Sequence, residues 1–343
     1  MTGRPWILIE GGGSRTWATT HPATSPAAAG PSTNPRSVGE DHASSTLTEL
    51  LHVLRIDRAI GPCGIIAAHG AASTTRTAAH FAALIRRAAT AAGLPTAPVF
   101  VTNDITPLLL DDDGPVCAVI AGTGTGFAAR NGHQWARASG LEWLLSDEGG
   151  AHDLATAGLR AAVQALDGRG PATALTTAAR RWCPTTPSHG LSEDLFTTVY
   201  DAPDPKPFVA SFAQHVLEAA ADGDALAAQL VQGSARELLT GARAVCRATG
   251  TTAHSYTLVL SGSLLTATPT LRTHFLDLLH QHLPPGAVRQ HTADDHAAAL
   301  LRLRAIWQDP HKLKALTRAL PAHADPPPRT EAARPPSTAT GTP

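Results

Sequence analysis

Residues 100–130 read FVTNDITPLLLDDDGPVCAVIAGTGTGFAAR. An apolar run ends in Asn103-Asp104, and an acidic turn follows at Asp111–Gly114. A second apolar run, Val116–Ala121, opens into Gly122-Thr123-Gly124-Thr125-Gly126. Each run is short and apolar enough for a buried strand. One strand thus delivers a carboxylate, and the next delivers a loop of small residues whose backbone N–H groups can converge on an anion. Phosphoryl transfer to a hydroxyl requires that pairing of a base with a phosphate cradle. Two core strands joined by a plain turn would read the same way. The rest of the chain decides.

Upstream, Trp6-Ile7-Leu8-Ile9 is a strand that empties into Glu10-Gly11-Gly12-Gly13-Ser14-Arg15-Thr16. The glycines allow close backbone approach, and the hydroxyls and Arg15 can face an anion; a plain hairpin turn is the alternative. No Gly-Lys-Ser/Thr follows and no G-x-G-x-x-G fits here or at Gly122, which counts against a P-loop and a dinucleotide site. Residues 17–33, rich in Thr, Pro and Ala, are expected to form at best irregular edge strands. A polar loop at Asn34–Gly39 leads into a predicted helix over 44–60. Strand Cys63–Ala68, helix Ala78–Ala92 and strand Pro98–Thr102 follow, an alternation that argues for a mixed α/β sheet.

Downstream, Asn131-Gly132 marks a hairpin between Phe127–Arg130 and His133–Ala136. Asp147-Glu148, bracketed by glycines, precedes a helix over His152–Leu166, where acids also suit the helix N-terminus. Helices are predicted over 173–182, 193–200, 206–221 and 224–248, separated by breakers at Pro184 to Pro187, Pro203 to Pro205 and Asp222-Gly223. Strand Tyr256–Leu260 empties into Ser261-Gly262-Ser263. A helix over 271–282, a strand over 288–292 and a helix over 294–307 close the pattern. From Pro321 the chain is Pro-rich and low in apolar residues, which predicts a disordered tail over 321–343.

The 343 residues suggest about two domains, and 43% hydrophobic content supplies sizeable cores. A net charge of −1 gives no electrostatic footprint for nucleic acid or an anionic membrane. Cys63, Cys117, Cys183 and Cys246 are far apart, as expected of buried thiols in a reducing cytosol, and the scattered His lack metal-ligand spacing. No signal-peptide pattern opens the sequence and no apolar run is long enough to span a bilayer, so a cytoplasmic location is expected.

GGGSRT, GPSTNPRSVG, VTND, AVIAGTGTG, LLSDEGG with ALDGRGPATAL, and VLSGS occur in that order across residues 6–307. Their order and spacing resemble the family that holds N-acetylglucosamine kinases and the BadF/BadG-type ATPases. The resemblance implies an α/β, two-lobed, actin-like (ribonuclease-H-like) ATPase fold with a nucleotide cleft between the lobes. Residues 1–117 would form the N-terminal lobe and 118–310 the C-terminal lobe. Gly12, Gly13, Ser14, Arg15 and Thr16 would be the first phosphate turn, and Gly122, Thr123, Gly124 and Thr125 the second. Gly262 and Ser263 would lie by the adenosine. Asp104 would be the base, Asn103 would help position it, and Asn34, Asp147 and Glu148 would bind the sugar. The family also implies ATP and Mg²⁺ as cofactors, a small-molecule sugar acceptor, and a homodimer.

The chain departs from the family pattern at several of these positions. Glu10 stands where an Asp usually helps to hold hydrated Mg²⁺, and Leu141-Glu142 stands where Trp-Gly is common. Ser146 and Ala297-Ala298 replace glycines. Glu142 adds negative charge near the expected sugar site, which suggests an acceptor bearing a free amine. The leading expectation is a kinase acting on the 6-hydroxyl of an amino sugar, with N-acetylglucosamine first. A sugar sensor without turnover and a kinase of another amino sugar or cyclitol are the alternatives. An ATP-driven activator of a reductase or dehydratase would use a cysteine-ligated iron–sulfur cluster, for which the four scattered Cys show no pattern.

Overall fold

The computed structural model describes residues 4–110, 113–183 and 190–328. Asp111 and Asp112 of the acidic turn, the breakers Pro184 to Pro187 and residues 329–343 lie outside the described residues. The chain begins with β1 (Trp6–Gly11), β2 (Arg15–His21), β3 (Ala28–Pro31), α1 (Pro35–Val38), α2 (Glu40–Val53), β4 (Gly64–His69), α3 (Thr75–Ala91) and β5 (Val99–Thr102). The second half opens with β6 (Val116–Ala121), β7 (Thr125–Asn131) and β8 (Gln134–Ser139). Helices α4 (Ala151–Leu166), α5 (Leu175–Trp182), α6 (Leu191–Tyr200), α7 (Pro205–Ala210), α8 (Ala213–Ala221) and α9 (Ala225–Ala248) follow. The chain continues through β9 (Thr257–Ser261), α10 (Ser263–Thr266), α11 (Pro269–His282) and β10 (Ala287–Gln290). It closes with α12 (His296–Gln308), α13 (Pro310–Ala319) and β11 (Ala322–Ala324).

Two sheets repeat one topology. In each, an antiparallel three-strand meander (β1-β2-β3, β6-β7-β8) receives two further strands in parallel beside its first strand, giving the orders β11-β5-β4-β1-β2-β3 and β10-β9-β6-β7-β8. This is the two-lobed α/β fold expected from the sequence. The central strands are apolar throughout because both faces are covered. Alternation along β1 sends Ile7 and Ile9 under α2 and α3, while Trp6 and Leu8 face the opposite side. There they share one core with Ile66 and Phe100 of the first sheet, Val116, Ala118 and Val259 of the second, and Leu300, Leu303 and Trp307 of α12. The lobes therefore meet through a common apolar layer. The carboxyl ends of β1, β4, β5, β6 and β9 all open onto the crevice beside it, where ligands bind in sheets of this kind.

Several boundaries differ from the sequence expectation. Helix α2 runs from Glu40 to Val53 instead of 44–60. Strand β2 is regular and paired on both sides, and β3, not β2, forms that edge of the first sheet. The helix expected over 206–221 breaks at Ser211-Phe212 into α7 and α8. The expected lobe boundary after residue 117 falls inside β6, and α12, α13 and β11 return to the first sheet. The tail expected from Pro321 is ordered at its start. β11 pairs antiparallel with β5, satisfying backbone groups that an open edge would leave exposed. Asp325 then accepts from Arg86 at 2.6 Å and from the Val99 N–H at 2.9 Å. Helix α13 lies beyond the last helix read from the sequence; its single buried residue, Leu316, gives little periodic signal.

Candidate active site

The crevice between the lobes has a volume of about 900 Å³. Two turns at the same topological position enter it, Gly12-Gly13-Ser14 between β1 and β2, and Gly122-Thr123-Gly124 between β6 and β7. They touch, with Ser14 Oγ 2.8 Å from Thr123 Oγ1. The second turn is fixed from behind. Backbone N–H groups of Ala151 and His152, in the first turn of α4, donate to the carbonyls of Gly122 at 2.9 Å and Thr123 at 3.0 Å. Asp147 Oδ1 accepts from the Thr125 N–H at 3.1 Å. A Cβ on Gly124 would fall on the Asp147 carboxylate, so this position has room only for glycine. Gly262, after β9, has φ +87° and packs so closely on the Ala121 carbonyl that a side chain would collide with backbone.

Asp104 follows β5 and lines the crevice beside Gly70, where an added Cβ would lie 3.4 Å from its Oδ2. Burial pushes its pKa up to about 6, against the pull of Arg137 and of the backbone N–H groups of Asp104 and Ile105. A base poised near neutrality suits abstraction of a hydroxyl proton. Asn103 donates to the Ala72 carbonyl at 3.3 Å and accepts from the Ile105 N–H at 3.3 Å, so its amide fixes the loop that carries Asp104. Asn34 caps α1, with Oδ1 accepting from the Arg36 N–H at 3.1 Å, and its Nδ2 donates to Glu142 Oε1 at 3.1 Å.

Lys206, at the start of α7, closes this end. Its ammonium lies 2.7 Å from Glu142 Oε2 and 3.0 Å from Asp147 Oδ2, with only 10% of the side chain exposed. Burial disfavours both charges, yet Lys206 and Asn34 hold the Glu142 carboxyl below its usual pKa, and Asp147 and Glu142 hold Lys206 above its own. Glu142 and Asp147 thus share one ammonium, so the Glu142 charge behind the free-amine expectation is already engaged by the protein's own lysine. The supporting loop is conformationally costly. Ser139, Glu142 and Asp147 all have positive φ, 60°, 71° and 76°, at about 1–3 kcal/mol each.

The crevice gathers Glu10, Gly12, Gly13, Ser14, Arg15, Asn34, Asn103, Asp104, Gly122 to Thr125, Asp147, Gly262 and Ser263. Two expected residues are not among those lining it. Glu148 is exposed and does not line the crevice. Thr16 is buried, its hydroxyl 2.9 Å from that of Thr33, which in turn lies 3.0 Å from His69 Nε2. His69 Nδ1 accepts from the Ala71 N–H at 2.9 Å, so Nε2 carries the proton toward Thr33. Burial drives the His69 pKa down to about 3, so this relay is neutral and ties β2, the segment after β3 and β4 together. Lys206, Arg137 and His296 were not read as site residues. Lys206 is one of three lysines in an Arg-rich chain, which was the available signal. Arg137 reaches across the lobes, donating to the Ser73 carbonyl at 2.8 Å.

Glu10 lines the crevice with its pKa pushed up to about 8 by burial and by the charge of Asp104, and its Oε2 lies 3.1 Å from His296 Nδ1. A hard dication would relieve such a pair of confined carboxyls. Mg²⁺ is usually held by one or two carboxylates together with substrate phosphates, so the residues present fit it.

A two-lobed crevice with paired hairpin turns and a carboxylate between them defines an actin-like ATPase fold. The chain belongs to the BadF/BadG/BcrA/BcrD ATPase family, whose model matches residues 31–300. Among solved structures it is similar to two proteins that carry the provisional name N-acetylglucosamine kinase. The one from Chromobacterium violaceum shares 19% identity at TM-score 0.59, covering 88% of this chain and 99% of that one. The one from Porphyromonas gingivalis shares 19% identity at TM-score 0.62, covering 87% and 97%. No curated protein sequence matches the chain. Among the described residues no helix is long and apolar enough to cross a membrane.

Proposed function

We propose that the protein is an ATP-dependent sugar kinase that transfers the γ-phosphate to the 6-hydroxyl of an amino sugar, N-acetylglucosamine being the first candidate. The observation that carries this reading is Asp104, a half-buried carboxylate in the same crevice as the two hairpin turns and the Asn34–Glu142–Lys206–Asp147 network. Asp104 takes the hydroxyl proton as the oxygen attacks, and the turns hold the phosphates in line. The polar network binds the acceptor's hydroxyls, and unmatched polar groups reject the wrong sugar. Magnesium bound with ATP would neutralise phosphate charge, with Glu10 holding it through water.

A sugar sensor without turnover is favoured by one observation, the pKa of about 8 at Glu10, which leaves this carboxyl largely protonated at neutral pH. The cysteines do not favour an iron–sulfur activator. Cys117 and Cys246 are hydrogen-bonded to each other in the core of the second lobe, and Cys183 lies in that core as well. The test is an ADP-release screen over hexoses, amino sugars and cyclitols, with Asp104→Asn as control. ADP release that needs both a sugar and Asp104 supports the kinase; sugar binding without ADP release supports the sensor.

A further inference from the structure

Two carboxylates that approach one nitrogen to within 3.0 Å make an ammonium site, and here the protein fills it with its own lysine. Glu142 and Asp147 are held there by a strained loop, by Asn34 and by the Thr125 N–H, so the pair is built independently of the lysine. Lys206 arrives from a different element, directly after Pro205 at the start of α7, and its side chain is nearly enclosed. The same crevice contains Asn34 and Asp104, and Asp147 is near enough for its charge to act on Asp104.

We propose that Lys206 is a specificity-determining residue for the acceptor: by occupying the Glu142–Asp147 ammonium site, it makes the pocket accept a neutral, N-acylated amino sugar and reject one with a protonated amine. This rests on the sugar-kinase reading. An incoming ammonium finds both carboxylates already engaged by Lys206, whose own charge opposes it, whereas an acylated nitrogen carries no charge to oppose. The burial that disfavours both ions is offset by their contacts, which keep the pair ionised. Discrimination by a repulsive element needs no contact made only with the accepted sugar.

The test compares kcat/KM for glucosamine with that for N-acetylglucosamine, at a pH where the free amine is protonated. Wild-type protein favours N-acetylglucosamine. Lys206→Met leaves two unpaired carboxylates and raises the glucosamine to N-acetylglucosamine ratio by about tenfold or more, because the substrate amine can supply the missing cation. Glu142→Gln, nearly isosteric, removes one negative charge and leaves Lys206 paired with Asp147 alone, which moves the ratio the opposite way; it keeps the proposal testable should the methionine variant fail to fold. A purely structural role for Lys206 would lower kcat/KM for both sugars alike. Turnover by wild type with the ratio unmoved in the variants, or a wild type that prefers glucosamine, overturns the Lys206 assignment alone. Turnover of neither sugar overturns the kinase reading and this inference with it.

Discussion

Ser14 and Thr123, 109 positions apart in the chain, bring their hydroxyls to 2.8 Å of each other at equivalent turns of the two sheets. The contact joins the lobes across the crevice. Both hydroxyls can turn from each other to a phosphate oxygen without moving backbone.

Ser14→Ala and Thr123→Ala should therefore each raise the KM for ATP about 5- to 10-fold, the loss of one hydrogen bond to a charged group, with a smaller change in kcat. Folding stability should move by less than about 0.5 kcal/mol. Initial rates against ATP concentration check this, and an unchanged KM would mean that the hydroxyls serve only each other.

Asp104→Asn separates activity from stability. Removing the base should lower kcat by about 10²- to 10⁴-fold. The folded pKa, about 6, lies above the ordinary value of 3.8, so ionised Asp104 destabilises the fold. The variant should be more stable than wild type by on the order of 1–3 kcal/mol above pH 6, and the gain should fade as pH drops toward 4. Denaturation curves at pH 8 and pH 4 give both values.

Two titrations set the acid behaviour. As Asp104 protonates below about pH 6, kcat/KM should fall roughly tenfold per pH unit. His69 binds its proton only near pH 3 when folded but near 6.5 when unfolded, so stability should decline as pH falls from 6.5 toward 3. Rates and melting temperatures over pH 4–8 separate these effects.

The two hairpin turns should respond differently to alanine. At Gly12 an added Cβ meets nothing within 4 Å, so Gly12→Ala should leave the melting temperature nearly unchanged. At Gly124 it displaces Asp147 from both Thr125 and Lys206, so Gly124→Ala should cost about 2–4 kcal/mol and abolish ATP binding. Thermal melts with and without nucleotide decide the pair.

Features that follow from local chemistry were legible in the sequence. Central strands are covered on both faces and so read as unbroken apolar runs, and glycine marks the turns where backbone packs against backbone. Long-range pairing was not legible. Lys206 meets partners 64 and 59 positions away, so nothing near it announced a role. Thr16 read as a phosphate ligand because its partner, Thr33, lies in a stretch without periodicity. β11 spans three residues, too few for a pattern to show.

The return of α12, α13 and β11 to the first sheet also fixes an order of assembly. Trp6, Leu8 and Phe100 leave the ribosome early, whereas Trp307 and Leu316, in the same core layer, are synthesised long after. The inner face of the first lobe stays open until the second lobe has been made. Trp307 and Leu316 can complete that layer only after both hairpin turns, at Gly12 and Gly122, have been made.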